Sequence, residues 1–422
     1  MTVFDPASVR PLFPPLARAM SGRPVVFADG PGGTQVPTAV VSAMTAYLQQ
    51  SNANTGGRFA TSQETGAVVA RARAAAAALL NASADEIVFG QNMTSLTFSM
   101  SRAIARTWKP GDEVVVTALD HDANVAPWML AAEDRGAVVR TLPFTLPDCS
   151  LSVDALTALI GPRTRLVALG YASNGVGSIV DLIPLIAAAH RVGALVFVDA
   201  VHYAPHGVID VRALDCDFLA CSAYKFCGPH VGILYAKQKH LEALTAYKVR
   251  PSTMVAPGKW ETGTQNFEAL AGLSACVAYL GSLAGSPVGS PTATAERDPF
   301  ARSTLVAAME RIAAHERTLS ARFLEAAARI PGLRVHGIAD PARAAERTPT
   351  FGITLASAAP HQAAERLCEH GVFVWDGHFY AKGLVDQLGL ADAGGLLRIG
   401  FAHYNTVDEI DRVVSELQAL AR

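Results

Sequence analysis

The chain has 422 residues, of which half are hydrophobic and only 17% are charged, and its 35 Lys and Arg against 37 Asp and Glu give a formal net charge of −2. A nearly neutral chain lacks the positive charge with which nucleic-acid-binding proteins hold phosphates, and so apolar a composition excludes a disordered chain. Six scattered cysteines in a chain of this length do not form the disulfide framework of a small secreted protein. Length and composition predict a well-packed protein of two or three domains.

No segment of the sequence suggests secretion or a membrane. Residues 1–20 carry Asp5 and four prolines and lack the apolar centre of a signal peptide. The longest apolar runs are too short to span a bilayer. We therefore expect a cytoplasmic protein without a membrane or nucleic-acid partner.

Short apolar runs alternate with helical stretches through the first two thirds of the chain. Strands are predicted at residues 86–89, 113–117, 137–142, 166–169, 195–198, 218–221 and 232–235, and helices at 71–80, 125–135, 153–159 and 183–192. Several of these strands are apolar on both faces, as in a sheet that helices cover on both sides. The alternation predicts an α/β domain with a mostly parallel sheet flanked by helices.

A stretch rich in Gly, Pro, Ser and Thr at residues 285–294 interrupts this pattern. Beyond it we predict helices at 301–330, 361–369 and 406–420 and strands at 333–336, 350–355, 372–375 and 396–400. These elements form a smaller α+β domain. The predicted division is an N-terminal segment that packs on the small domain (1–24), a large domain (25–284), a linker (285–299) and a small C-terminal domain (300–422).

Lys225 follows an apolar strand directly and precedes a Gly-Pro turn. Lysine is rarely buried unless it is paired or used covalently, and a desolvated lysine loses its proton readily and forms Schiff bases. Taken alone, a surface lysine on a loop is the better interpretation. A second residue changes that balance.

Asp199 ends an apolar strand about 26 residues before Lys225. The carboxyl end of a parallel strand faces the ligand crevice of such sheets. A carboxylate there can hold the protonated ring nitrogen of pyridoxal 5′-phosphate, which makes the ring an electron sink. The alternative is a helix N-cap, but the order of these two residues is typical of fold-type I pyridoxal-phosphate enzymes.

Three further motifs have a chemical and a plain structural interpretation. Thr94 and Ser95 open a helix after a strand, which suits an anion site or an ordinary N-cap. His121 follows another strand and suits stacking on a cofactor ring and proton relay; no ligand cluster around it indicates a metal. Arg398 lies among apolar strand residues, which suits bidentate binding of a substrate carboxylate or a surface position.

Together these motifs resemble, in order and spacing, the class V aminotransferase superfamily, and most closely its cysteine desulfurase/selenocysteine lyase branch. The resemblance covers nearly the whole chain and also includes the segments 27–34, 111–114, 172–177, 215–218, 261–266 and 398–406. It implies the fold-type I architecture of pyridoxal-phosphate-dependent transferases, with a large and a small domain. It also implies a homodimer whose active sites are shared between subunits.

The resemblance also assigns roles by position. Lys225 is expected to form the Schiff base, Asp199 to pair with the ring nitrogen and His121 to stack on the ring. The phenolate oxygen is expected near Asn174 and His202, and Arg398 is expected to hold the substrate carboxylate, with Asn174 close by. The expected phosphate ligands are the Met93 backbone, Thr94, Ser222 and Tyr224, together with Gly263 and Thr264 of the other subunit.

Some positions depart from the family pattern. Tyr380, in the loop 374–381, stands where desulfurases carry the cysteine that accepts sulfur as a persulfide; the nearest cysteine, Cys368, lies upstream in a predicted helix. Without a thiolate there, the usual persulfide route is closed. Tyr380 or His378 is a candidate acid, Tyr224 replaces the usual histidine before the lysine, and Arg58 is a candidate for the substrate mouth.

These residues predict a pyridoxal-phosphate enzyme for a small amino acid, with C–S lyase chemistry (β-elimination) through a Lys225 aldimine and no metal. Transamination, racemisation or epimerisation, and aldol-type enamine chemistry share the first steps and stay open. A non-catalytic binding protein of the same fold is disfavoured because Lys225 and Asp199 are both retained. A nicotinamide oxidoreductase is disfavoured because the chain lacks the Gly-x-Gly-x-x-Gly turn. The spacing of Cys216, Cys221 and Cys227 fits no iron–sulfur or zinc site, and we predict buried, inert thiols.

Overall fold

The computed structural model describes residues 4–285 and 298–422, so most of the predicted linker lies outside the described residues. The strands are β1 (Ala19–Met20), β2 (Arg23–Pro24), β3 (Val26–Phe27), β4 (Ile87–Gly90), β5 (Glu113–Thr117), β6 (Val138–Leu142), β7 (Thr164–Gly170), β8 (Leu195–Asp199), β9 (Phe218–Ser222), β10 (Gly232–Ala236), β11 (Leu333–His336), β12 (Thr350–Leu355), β13 (Val372–Phe373), β14 (Trp375–Gly377) and β15 (Leu396–Gly400). The α-helices are α1 (Pro6–Val9), α2 (Thr38–Gln50), α3 (Ala60–Leu80), α4 (Met93–Ala105), α5 (Ala126–Glu133), α6 (Val153–Leu159), α7 (Leu182–Arg191), α8 (Val211–Leu214), α9 (Gln238–Ala243), α10 (Phe267–Ser282), α11 (Arg302–Ala327), α12 (Pro360–Glu369), α13 (Lys382–Gln387) and α14 (Val407–Leu420).

The central sheet has seven strands in the order β4-β10-β9-β8-β7-β5-β6. The strands from β9 to β6 pair in parallel, and β10 is antiparallel to both of its neighbours. Strands such as β5, β9 and β10 are buried along their whole length, because helices cover both faces of a sheet of this kind. The predicted α/β fold with a mostly parallel sheet is confirmed.

This topology brings several polar segments to one edge of the sheet. The strands β4, β5, β7, β8 and β9 all end at that edge, since β10 alone runs the other way. The loops that follow these strands carry the residues predicted to bind the cofactor. In sheets of this type ligands bind beyond the carboxyl ends of the strands.

The C-terminal sheet has the antiparallel order β11-β12-β15-β14. The predicted strand 372–375 is divided in the structure. β13 leaves the sheet to pair in parallel with β3, whereas β14 stays beside β15. Val26 and Val372 are both buried in the small-domain core, and the burial of these two apolar side chains stabilises the separate pairing.

The N-terminal segment contacts the C-terminal elements. The Phe4 ring lies 5.1 Å from the His315 ring on α11, and the Arg10 guanidinium lies 2.9 Å from the Glu409 carboxylate on α14. Phe13 also packs against Tyr279 on α10. Within the described residues, the helices are all too short or too polar to cross a membrane.

Candidate active site

A cavity of about 920 Å³ lies at the carboxyl edge of the central sheet, and residues of both sheets line it. Most of the predicted site residues meet there: Met93, Thr94, His121, Asn174, Asp199, His202, Ser222, Tyr224, Lys225, His378, Tyr380 and Arg398. Arg58, Gly263 and Thr264 do not line this cavity of their own chain. The cavity thus gathers in one place groups that are far apart in the sequence.

Lys225 is partly buried at this edge, on the turn that follows β9. Its ammonium group donates a hydrogen bond to the Pro31 carbonyl oxygen. Burial and the positive charge of Arg398 lower the lysine pKa to about 7, while the Asp199 carboxylate acts in the opposite direction. Near neutral pH a large share of this amine is therefore uncharged and nucleophilic.

Asp199 ends β8, and its carboxylate accepts a hydrogen bond of 2.9 Å from the Val201 backbone N–H. Burial raises the pKa of this carboxyl group to about 6, against the opposing effect of Lys225. A buried carboxylate is stabilised by a cation placed against it. Asp199 is therefore suited to hold a positively charged ring nitrogen.

Asp120 also lines the cavity, although the sequence analysis did not predict it. Its carboxylate accepts hydrogen bonds from the Thr117 hydroxyl at 2.7 Å, the Asn124 side-chain amide at 2.7 Å and the Gly170 backbone N–H at 2.9 Å. Burial and the nearby Asp199 raise the Asp120 pKa to about 7, and the hydrogen bonds lower it in part. The network ties the loop after β5 to the end of β7 and so fixes the neighbouring His121.

His121 lies at the start of the turn after β5, where its Nδ1 accepts a 3.0 Å hydrogen bond from the Ala123 backbone N–H. Burial and the charges of Lys225 and Arg398 lower the histidine pKa to about 4. The ring is therefore neutral, with its proton on Nε2. A neutral flat ring in this position suits stacking on an aromatic cofactor.

The beginning of α4 forms an anion site beside these groups. Asn92 caps the helix by accepting a 2.9 Å hydrogen bond from the Ser95 N–H, and the Met93 N–H donates to the Ser222 hydroxyl at 2.9 Å. A Cβ at Gly232 would collide with the Asn92 backbone, so β10 approaches the loop closely because this residue is glycine. Backbone N–H groups at a helix start favour a phosphate.

Arg398 is buried on β15 and donates from Nη1 to the Asn174 carbonyl oxygen at 3.1 Å. Its Nε has no hydrogen-bond partner among the described residues, and burial lowers its pKa to about 9, so it stays protonated at neutral pH. Asp29, which the sequence analysis missed, has a pKa raised by burial to about 6 and interacts with this charge. An unsatisfied cationic donor in a cavity suits a carboxylate ligand.

His202 and Asn174 line the cavity between these groups. The His202 Nε2 lies 3.1 Å from the Thr348 hydroxyl, and burial together with His206 lowers the His202 pKa well below its ordinary value. The Asn174 amide donates to the Phe379 carbonyl at 2.9 Å, and its Oδ1 has no partner in the described part of the chain. His202 is therefore a neutral ring, and Asn174 retains an acceptor.

One continuous segment forms the small-domain wall of the cavity. All six residues from 375 to 380 line it. The segment is fixed to the large domain, because the Asn174 amide binds the Phe379 carbonyl at 2.9 Å and the Asp122 N–H binds the Tyr380 carbonyl at 2.6 Å. Phe379 and Tyr380 have φ angles of 53° and 57°, in the left-handed region that such residues seldom adopt.

Two rings of this wall reach groups already described. The centre of the Phe379 ring lies 4.2 Å from the guanidinium carbon of Arg398. The centre of the Tyr380 ring lies 5.4 Å from that of the His121 ring. The His378 Nδ1 accepts a 3.0 Å hydrogen bond from the Tyr380 N–H. Tyr380 thus lines the cavity beside His121.

The cysteines take no part in this site. None of the six lines the cavity; five are buried elsewhere and Cys368 is exposed on α12. Cys216, Cys221 and Cys227 are buried, as predicted, and burial raises their pKa values to about 12, so the thiols stay protonated at neutral pH. Within residues 4–285 and 298–422, no three His, Cys, Asp or Glu side chains are grouped as metal ligands.

Known proteins resemble this chain along almost its whole length. The family model described as "Aminotransferase class-V" matches residues 26–288 and 304–413. An aminotransferase-like protein, FGM3, of Gibberella zeae is 32% identical over 98% of both chains. A cysteine desulfurase of Pectobacterium carotovorum subsp. carotovorum is 30% identical over 98% of this chain and 97% of its own. The crystal structure of the Escherichia coli cysteine desulfurase CsdA is 30% identical, covers 99% of each chain and superposes with a TM-score of 0.83.

Proposed function

The chain belongs to the class V aminotransferase family of pyridoxal-phosphate-dependent enzymes and is cysteine desulfurase-like, and we propose that it is a C–S lyase without a protein persulfide. This family membership confirms the predicted resemblance, the cofactor and the enzymatic nature of the protein. In the proposed reaction, a cysteine-type amino acid and water give a thiol or sulfide, pyruvate and ammonium.

The observation that carries the proposal is the identity of the small-domain wall. Tyr380 lies in the cavity wall where the resemblance implies a sulfur-accepting cysteine, and the cavity has no cysteine among its lining residues. A phenol does not attack sulfur as a thiolate does. Sulfur that leaves the substrate must therefore leave as a free thiol or sulfide.

The residues of the cavity fit pyridoxal phosphate. Lys225 supplies the amine, Asp199 a carboxylate for the ring nitrogen, His121 a neutral ring for stacking, and the start of α4 with Thr94, Ser222 and Tyr224 an anion site. Asn174 and the neutral His202 line the cavity and can donate to the phenolate oxygen from a side-chain amide N–H and a ring N–H. When bound, the cofactor supplies an electron sink that stabilises negative charge at the substrate Cα.

The chain's own residues account for the proton transfers. Arg398, whose charged side chain lines the cavity, binds the substrate carboxylate and so orients the Cα–H bond. Lys225, uncharged in part near pH 7, takes the Cα proton as a general base. Tyr380 or His378 supplies the proton to the departing sulfur, since both line the cavity.

We further propose a homodimer in the cytoplasm in which Arg58, Gly263 and Thr264 complete the cavity of the partner. These three residues lie outside the cavity of their own chain. Large apolar side chains are exposed near them, namely Phe59, Met254 and Val255. Exposed apolar side chains of this size are typical of subunit interfaces.

A product assay tests the lyase proposal. The holoenzyme is incubated separately with L-cysteine, L-cystine, L-cysteine sulfinate and S-methyl-L-cysteine, and pyruvate, alanine, sulfide or thiol, amino-group transfer and protein-bound persulfide are each measured. We expect L-cysteine to give pyruvate and sulfide in equal amounts, and S-methyl-L-cysteine to give pyruvate and methanethiol in equal amounts, both without alanine. Alanine together with persulfide on the protein would overturn the proposal, and Cys368→Ser is the matched control that should change nothing.

A further inference from the structure

The small-domain wall is rich in aromatic side chains, and two of them are exposed to solvent and not packed in the core of the protein. Three of its six residues are Trp375, Phe379 and Tyr380, and all three line the cavity. Trp375 is 51% exposed and Tyr380 is 68% exposed. Large aromatic side chains left outside the core and gathered at a cavity are typical of a binding surface.

Other residues of the cavity are already assigned to the carboxylate and the amino group of an amino-acid substrate. The carboxylate is assigned to Arg398, which is buried, and the amino end to Lys225, which is partly buried. Phe379 covers the guanidinium at 4.2 Å, so the aromatic wall begins beside the carboxylate site. The substrate group that remains to contact this wall is the side chain.

The side chain of cysteine is too small to do so. It adds one sulfur atom beyond Cβ, whereas three ring side chains of the wall line the cavity that the substrate shares with the cofactor. A substrate of cysteine size leaves Trp375 and Tyr380 without a partner. A larger group on sulfur fills the same space.

Most of the wall is uncharged. Asp376 is its only charged residue, and the Asp376 carboxylate lies 3.5 Å from the His361 ring on α12. The wall is held in place by the hydrogen bonds of the Phe379 and Tyr380 carbonyls. It is therefore formed before any ligand arrives, which lowers the entropic cost of binding an apolar group.

We infer that the substrate is an S-substituted L-cysteine whose sulfur carries an apolar group about the size of a ring, packed against Trp375 and Tyr380. This inference rests on the proposed lyase function. The reaction converts R–S–CH2–CH(NH3+)–COO− and water into R–SH, pyruvate and ammonium. The Cβ–S bond breaks, the sulfur takes a proton, and no oxidant or reductant is consumed.

The experiment compares kcat/KM for pyruvate formation from S-benzyl-L-cysteine, S-methyl-L-cysteine and S-(2-aminoethyl)-L-cysteine. We expect kcat/KM for S-benzyl-L-cysteine to exceed that for each of the other two substrates by about tenfold or more. Contacts of an apolar group with a fitted pocket have effects of this size. Tyr380→Ala should remove most of that preference. Tyr380→Phe should keep it, because the ring makes the contact even where the hydroxyl also serves in proton transfer.

Ile183→Ala is the matched control, because Ile183 on α7 is 56% exposed but does not line the cavity; it should leave the preference unchanged. Pyruvate from all three substrates without a preference for the benzyl group, or with a preference for the aminoethyl group, refutes the inference and leaves the lyase intact. Failure to obtain pyruvate from these substrates and from those of the product assay overturns the lyase proposal itself.

Discussion

The two walls of the cavity are built on different principles. The large-domain wall consists of titratable groups at strand ends, each held by hydrogen bonds and with a pKa shifted by burial, such as Lys225, Asp199 and Asp120. The small-domain wall is one short segment rich in aromatic side chains. Its backbone carbonyls accept hydrogen bonds that hold Phe379 and Tyr380 in the left-handed conformation. The first wall suits reaction chemistry that a whole family shares, and the second suits the choice of substrate.

This contrast explains how one family can carry different activities. Substitutions in the segment 375–380 change what contacts the substrate side chain and leave the strand-end groups in place. A change at a strand end disturbs charges that depend on one another, since Lys225, Asp199 and Arg398 each affect the pKa of another. The following experiments test whether the division holds.

The largest effect is expected from Lys225→Ala, which removes the only amine predicted to bond to the cofactor. Activity should fall by on the order of a thousandfold or more, because both the covalent link and the base are lost. The absorbance band of the lysine-bound cofactor near the visible edge should disappear as well. Tyr380→Phe is the comparison from the other wall and should retain that band; a normal band in Lys225→Ala would refute the assignment.

A smaller effect is expected from Arg398→Gln. Loss of a charge-assisted contact to the carboxylate should raise KM by roughly 10- to 100-fold, with a smaller change in kcat. Because Arg398 also lowers the pKa of Lys225, the pH at which the apoprotein reacts half-maximally with pyridoxal phosphate should move upward from about 7. A KM unchanged for several carboxylate substrates would show that another group holds the carboxylate.

Asp120→Asn tests the stability of the large-domain wall. The amide cannot accept all three hydrogen bonds, so the free energy of unfolding should fall by about 1–2 kcal/mol. The native carboxyl has a pKa raised to about 7, so the folded state binds a proton that the unfolded state releases, and this contribution to stability is lost as the pH rises from about 4 to 7. Urea titrations should therefore show a larger penalty for Asp120→Asn at pH 5 than at pH 8; an equal penalty contradicts the raised pKa.

The smallest effect concerns the backbone of the small-domain wall. Phe379 has a φ angle of 53°, which costs an ordinary residue about 1 kcal/mol relative to glycine. Phe379→Gly should therefore be more stable than Phe379→Ala by about that amount in thermal or urea unfolding. The same pair of substitutions at Phe373, in the extended strand β13, is the control and should show the reverse order.

The sequence predicted the large-domain wall far better than its surroundings. Lys225 and Asp199 each follow an apolar strand, and parallel strands place such residues at one edge. Asp120 stood beside His121 in the same motif, but its role depends on Thr117, Asn124 and Gly170 meeting around it, and local periodicity does not show such contacts. Asp29 was missed for the same reason, since its effect depends on Arg398.

Two features of the strands were not predicted from the sequence, for a related reason. The antiparallel direction of β10 leaves no trace in its sequence, because an apolar run has the same pattern in both directions. The division of residues 372–375 between two partners depends on β3, which is distant in the chain. The position of Arg58 at the substrate mouth, those of Gly263 and Thr264 at the cavity of the other subunit, and the division into domains stay predictions.

The pairing of β3 with β13 also has a consequence for synthesis on the ribosome. The Gly400 N–H binds the Ala28 carbonyl at 2.8 Å, so an early segment of the chain finds its partners only when one of the last strands emerges. The strands that carry Asp199 and precede Lys225 are complete long before that point, and domains fold in the order in which they are made. A nascent chain therefore contains Asp199 and Lys225 before Arg398 on β15 is made, so the arginine proposed to hold the substrate carboxylate is the last of these three groups to join the cavity.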